Sequence, residues 1–120
     1  MIAKLLKVLA WLLVAGLVAA TVVPASERPV TGVPHNYEHF LSFAVSAFVF
    51  ALAHPNLRPR PLYAAGVAFT LALELMQIPL PTRHARLEDF LYDTAAVWCA
   101  FAAVRLAALP VLARLARVRA

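Results

Sequence analysis

Four long apolar stretches separated by short polar segments dominate the pattern of the chain. A helix needs about 20 predominantly apolar residues to cross a hydrocarbon layer of roughly 30 Å. We therefore predict membrane-spanning helices over approximately residues 5–23, 38–54, 61–80 and 89–109. Because proline cannot continue a helix, the prolines support this segmentation; they lie at Pro24, Pro29, Pro34, Pro55, Pro59, Pro61, Pro79, Pro81 and Pro110.

Composition supports the same class of protein. Of the 120 residues, 63% are hydrophobic and 14% are charged, whereas soluble domains have roughly 45–50% and about 25%. A small soluble domain buries only about two-thirds of its surface and cannot hide so much apolar area, and disorder requires low hydrophobicity. The single cysteine, Cys99, excludes a disulfide framework within the chain, and three glycines allow no Gly-rich phosphate loop. We expect an all-α polytopic membrane protein, a bundle of four transmembrane helices forming one domain over residues 1–120.

The basic residues predict the orientation of this bundle. With both termini inside, eight Lys and Arg residues face the cytoplasm and three face outward, as the positive-inside rule requires. The net charge of +5 then reflects topology and contact with anionic lipid, with no nucleic-acid partner. We expect an N-in/C-in, multi-pass protein of a bacterial cytoplasmic (inner) membrane.

Alternatives remain open at both ends of the chain. Residues 4–23 also resemble a secretory signal peptide with a cleavage site near Ala20, although the apolar run is slightly long for one. Residues 111–120 form a basic tail whose apolar positions share one helical face. This tail is either a short helix on the inner membrane surface or a frayed segment that fixes topology.

Polar side chains from three spans are expected to converge near the outer surface. Ionisable groups within spans are costly and are candidates for function. In the predicted topology, His39 enters at the outer surface, the third span carries acid and amide groups in its outer half, and the fourth begins with two acids. The candidate binding residues are His39, Glu74, Gln77, Arg83, Asp89 and Asp93. We expect no metal site and no cofactor.

Structural roles compete with binding at each of these positions. Glu74 could pair with Arg83 or bond to Thr70, His39 could cap its helix at the interface, and Asp89 could favour the positive N-terminus of the last helix. The remaining histidines, at 35, 54 and 84, have no spacing partner that indicates a metal site.

The motifs resemble those of the VanZ-like integral membrane proteins. The resemblance spans residues 37–100 and consists of His39-Phe40, Glu74-x-x-Gln77, and Arg83 followed by Asp89 six residues later. Asp93 stands where that family usually has Asn. The resemblance implies a cell-envelope protein linked to glycopeptide (teicoplanin) resistance, with a lipid-linked precursor or the antibiotic as its ligand.

Three functions are compatible with this pattern. The first is an envelope accessory protein that binds a ligand or partner at the outer face. The second is a structural membrane subunit whose polar faces serve packing. The third is an intramembrane acid/base hydrolase using His39 and Glu74. We rank them in that order, and the sequence leaves the oligomeric state open.

Overall fold

The structure, a computed structural model, describes residues 1–27 and 30–118. Within that part of the chain it is entirely helical, with no strand, which confirms the all-α prediction. The four long helices are α1 (Ile2–Val22), α2 (His35–Ala53), α3 (Pro59–Gln77) and α4 (Leu87–Val118). A short 3-10 turn, Ala25–Glu27, follows α1. Arg28 and Arg119, both used to predict the orientation, lie outside the described residues.

The helices alternate in direction, so that α1 and α3 end where α2 and α4 begin; we call this the polar end of the bundle. Helix α2 packs most extensively on α4, while α1 packs on α2 and α3. Helix α3 lies close to α4 at Gly66, where an added Cβ would lie 2.8 Å from Val97 Cγ1. A small residue at this position lets the two backbones approach, as is common between membrane helices.

Only two of the four helices are long and apolar enough to cross a membrane by length and composition alone: α1 and α4. The expectation that all four qualify is wrong by this measure. Helix α2 begins with a polar turn, His35–Glu38, and α3 contains Arg60 near its start and Gln77 at its end, so neither presents a sufficiently long apolar stretch. Because a signal sequence satisfies the same description as α1, that alternative also remains.

Large apolar side chains cover much of the outside. The accessible surface is 8193 Å², against about 6,400 Å² expected for a folded soluble protein of 13.1 kDa. Leu12 on α1 and Leu91 and Leu106 on α4 are each more than half exposed. Exposure of this kind is typical of a surface covered by lipid or by another protein.

The fourth helix does not stop before Pro110. It changes from α-helix to a π-helical segment at Val104–Ala108 and continues as α-helix over Leu109–Val118. The N–H of Leu109 donates to the Val104 carbonyl five residues back, and this wider turn comes immediately before the proline that lacks an N–H. The prediction that the helix ends near residue 109 is therefore wrong, and the described part of the amphipathic tail, as far as Val118, continues it.

Candidate functional site

The polar end brings together five ionisable side chains from three helices, which we call the carboxylate–imidazole cluster. Its members are His35 and His39 of α2, Glu74 of α3, and Asp89 and Asp93 of α4. Four of them lie four residues apart in pairs, and residues at this spacing share one face of a helix. The paired faces of α2 and α4 meet because these two helices run in the same direction and pack along their length.

His39 and Asp93 form the most buried pair of the cluster. The Nδ1 atom of His39 lies 3.3 Å from Asp93 Oδ1 and 3.4 Å from Oδ2, and both side chains are about nine-tenths buried or more. The His39 ring also stacks on Phe43 with a centroid distance of 6.3 Å. The imidazole therefore contacts both a carboxylate and an aromatic ring.

His35 and Asp89 form a second, more exposed pair one helical turn above the first. His35 Nε2 lies 3.5 Å from Asp89 Oδ2, and the two histidine rings lie 4.2 Å apart. His35 is not among the predicted site residues, because the pattern predicts that α2 begins only at about residue 38. The helix begins earlier because the carbonyl of Pro34 accepts bonds from the N–H groups of Tyr37 and Glu38. The signal was present: the spacing His35-x3-His39 matches Asp89-x3-Asp93.

Glu74 faces the cluster from α3. Its Oε1 accepts a hydrogen bond from the backbone N–H of Arg86, the residue that caps the start of α4. The carboxylate also interacts electrostatically with Asp89, Asp93 and His39. Gln77, one turn further along α3, is buried as well. The structure thus brings Glu74 to the two aspartates, as the convergence of polar groups required.

Arg83 is directed to the end of α1. Its guanidinium donates to the carbonyl oxygens of Ala20 at 2.8 Å and Val23 at 2.6 and 3.2 Å. A cation at a helix C-terminus satisfies free carbonyls and complements the helix dipole. The partner that we considered for Glu74 in the sequence therefore anchors the α3–α4 loop to α1.

A second polar contact joins α3 and α4 below Glu74. The hydroxyls of Thr70 and Thr94 lie 2.8 Å apart, and Thr70 also donates to the carbonyl of Val67. These hydroxyls satisfy one another, as expected for polar groups at helix interfaces in membranes. Packing of α3 against α4 therefore accounts for these two threonines, and no ligand is needed to explain them.

Two buried atoms of the cluster, His39 Nε2 and Asp89 Oδ1, have no hydrogen-bond partner among the described residues, and Asp93 Oδ1 has only its 3.3 Å contact with His39 Nδ1. Asp89 and Asp93 are 4% and 3% exposed. Buried polar groups are satisfied in the great majority of native structures, so each exception requires an explanation. In the described part of the chain, no group of three or more His, Cys, Asp and Glu residues is placed to hold a metal ion.

Comparison with known proteins identifies no role for this site. No protein-family model, no curated protein and no solved structure matches the chain. The resemblance to the VanZ-like proteins therefore stays a prediction from the motifs.

Proposed function

We propose that the chain is a multi-pass protein of a bacterial cytoplasmic membrane, with both termini inside and the polar end facing outward. The two long apolar helices and the exposed apolar surface support membrane insertion, and the basic residues support the orientation. Reporter fusions test it. A reporter fused in the α3–α4 loop at residue 84 should be located outside the cytosol, and a reporter fused in the α2–α3 loop at residue 57 should be located inside it. Finding the reporter at residue 84 in the cytosol would overturn the proposed orientation.

We further propose that the protein is a cell-envelope accessory protein whose carboxylate–imidazole cluster binds an envelope ligand. The observation that carries this proposal is the pair of unsatisfied buried atoms on Asp89 and His39, because a bound ligand would supply the missing partners. The VanZ-like motifs suggest the ligand classes: a lipid-linked precursor, its terminal peptide, or a glycopeptide such as teicoplanin.

Teicoplanin sensitivity of cells that depend on this protein tests the binding function. Asp89→Asn should make the cells as sensitive as cells without the protein, while membrane levels stay normal. Glu88→Gln is the matched control, since Glu88 is adjacent in sequence but about half exposed and paired with Arg86 at 3.2 Å. It should retain wild-type sensitivity.

Two outcomes of this experiment would contradict the proposal. Unchanged sensitivity in Asp89→Asn would remove the proposed link between the cluster and glycopeptide resistance. Loss of Asp89→Asn from the membrane would favour the structural subunit, whose polar groups hold the helices together.

One observation favours a hydrolase as the second candidate. An imidazole whose Nδ1 faces a carboxylate, with Nε2 left free, has the arrangement of a general base oriented by an acid. His39 has this arrangement with Asp93. A lipid-linked phosphate incubated with the purified protein tests it. Turnover by the wild type and by Glu88→Gln, but not by His39→Gln, would favour the hydrolase over a binding protein.

A further inference from the structure

An apolar cavity of about 240 Å³ lies between the four helices. Aromatic side chains from every helix line it, including Trp11 of α1, Phe50 of α2, Phe69 of α3 and Phe101 of α4. The one hydroxyl in the lining, that of Ser46, already donates to the Ser42 carbonyl at 2.8 Å. The cavity therefore offers a ligand apolar contacts and no free hydrogen-bond donor from Ser46.

The cavity adjoins the carboxylate–imidazole cluster on two helices. On α2, Phe43 lines the cavity and stacks on His39, one turn nearer the polar end. On α4, Val97 lines the cavity one turn from Asp93. A molecule held at the cluster would thus have its apolar portion next to the cavity.

The helix α3 shows the same order. Gly66 and Phe69 line the cavity, the Thr70 hydroxyl bridges to α4, and Glu74 follows at the polar end. All three helices of the cluster therefore place an apolar layer directly below a polar one.

The chemistry of the cluster favours a cationic donor. It holds three carboxyls and two imidazoles; the carboxylate oxygen Asp89 Oδ1 has no partner, and Asp93 Oδ1 has only its contact with His39. Such oxygens only accept hydrogen bonds when ionised. A primary ammonium supplies three donors and a positive charge.

We propose that the ligand of the cluster is an ammonium-headed amphiphile of the bilayer, with its head at Asp89 and Asp93 and its apolar chain in the cavity. This inference rests on the proposed binding function and specifies its ligand class. Acceptor atoms in a buried site select a head group by charge, and the aromatic lining takes up the chain.

Quenching of Trp11 fluorescence by a brominated chain tests the inference, because Trp11 lines the cavity. The experiment uses the purified full chain in detergent with Trp98→Phe as the background, which leaves Trp11 as the single tryptophan. The probes are terminally brominated dodecylamine, dodecanoic acid and dodecanol. We expect dodecylamine to quench at a concentration about tenfold lower than dodecanoic acid, equivalent to about 1.4 kcal/mol, with dodecanol between them.

Two pairs of variants separate the chain from the head. Ala65→Leu adds volume at a cavity-lining position, whereas Ala64→Leu makes the same change at an exposed neighbour that does not line the cavity. Ala65→Leu should lose quenching at low probe concentration and Ala64→Leu should keep it. Asp89→Asn should abolish the preference for the amine, and Glu88→Gln should retain it. Circular dichroism establishes that each variant keeps its helical content.

Three results would overturn the inference: equal quenching by amine and acid, equal behaviour of the two Leu variants, or an amine preference that survives Asp89→Asn. If any of these results is found and Asp89→Asn cells are more sensitive to teicoplanin, the amphiphile is refuted as the ligand. The proposed binding function of the cluster is then retained. Quenching as expected with unchanged cellular sensitivity would support the amphiphile site and refute the proposed link to resistance. If Asp89→Asn loses helical content, Asp93→Asn replaces it in the same comparison.

Discussion

The contact between α3 and α4 at Gly66 gives the sharpest prediction about stability. In Gly66→Ala the new Cβ would lie 2.8 Å from Val97 Cγ1 and 3.3 Å from Phe101 Cε2. Val97 is buried and β-branched, so moving its Cγ1 away from the new methyl group requires a change of its preferred χ1 rotamer. Overpacking of this kind costs about 1–3 kcal/mol. We expect Gly66→Ala to lower the free energy of unfolding by that amount, although alanine is the better helix former.

The same substitution in α1 is the control. Nothing lies within 4 Å of a Cβ built at Gly16, so Gly16→Ala should be neutral or stabilise the helix by up to about 1 kcal/mol. Unfolding in mixed micelles by titration with SDS, followed by circular dichroism, measures both free energies. If Gly66→Ala proved as stable as Gly16→Ala, the close approach of the two helices would be refuted.

A double-mutant cycle identifies the atom responsible. Val97→Ala removes Cγ1, the nearest atom to the added methyl group. The cost of Gly66→Ala should therefore fall in the Val97→Ala background, with a coupling energy in the range of about 0.5–3 kcal/mol that is found for residues in contact. Independent, additive effects would show that the two positions do not touch.

Two further substitutions test the anchoring of the loop and the irregular helix. Arg83→Gln should lower the free energy of unfolding by about 1 kcal/mol or more, because the charged donor at the end of α1 is lost. Arg86→Gln is the control: it removes an exposed ion pair with Glu88 and should lower the free energy of unfolding by less than about 1 kcal/mol. Equal effects of the two substitutions in SDS titration would contradict the anchoring role of Arg83. Pro110→Ala should stabilise the chain by supplying the missing N–H inside α4, by at most about 3 kcal/mol, while Pro59→Ala should not stabilise it, because Pro59 occupies the first turn of α3, where proline is favourable. A Pro110→Ala variant less stable than the wild type would refute this account of the π-helical segment.

The apolar runs and the prolines were sufficient to predict four helices, because both signals are local. In the structure α2 begins directly after Pro34 and α3 begins at Pro59, whereas the pattern predicts their starts near residues 38 and 61. Pro110 misled the prediction because its effect depends on the preceding turn: a π-helical segment accommodates a proline that an α-helical ladder would not. Nothing in the sequence around Pro110 distinguishes a helix that ends before the proline from one that continues through it.

The members of the cluster were predictable only in part. Helical spacing and depth indicated His39, Glu74, Asp89 and Asp93, since each lies on the small or polar face of its helix. The target of Arg83 depends on where α1 ends in three dimensions, and spacing within the α3–α4 loop contains no such information. The cavity likewise arises from the gap left between four helices, and no single helix shows it.

Hydrogen-bond satisfaction separates a packing role from a binding role at the polar end. If polar groups served only to hold helices together, each would be expected to resemble the Thr70–Thr94 pair, in which both hydroxyls have a partner. Asp89 and His39 differ, since each uses one atom within the bundle and leaves a second buried atom without a partner. Leaving a buried polar group unsatisfied costs about 1–3 kcal/mol, and a packing subunit gains nothing in return for that cost. A ligand that forms hydrogen bonds with these atoms would recover it on binding, and the unsatisfied atoms therefore favour a binding role over a structural one.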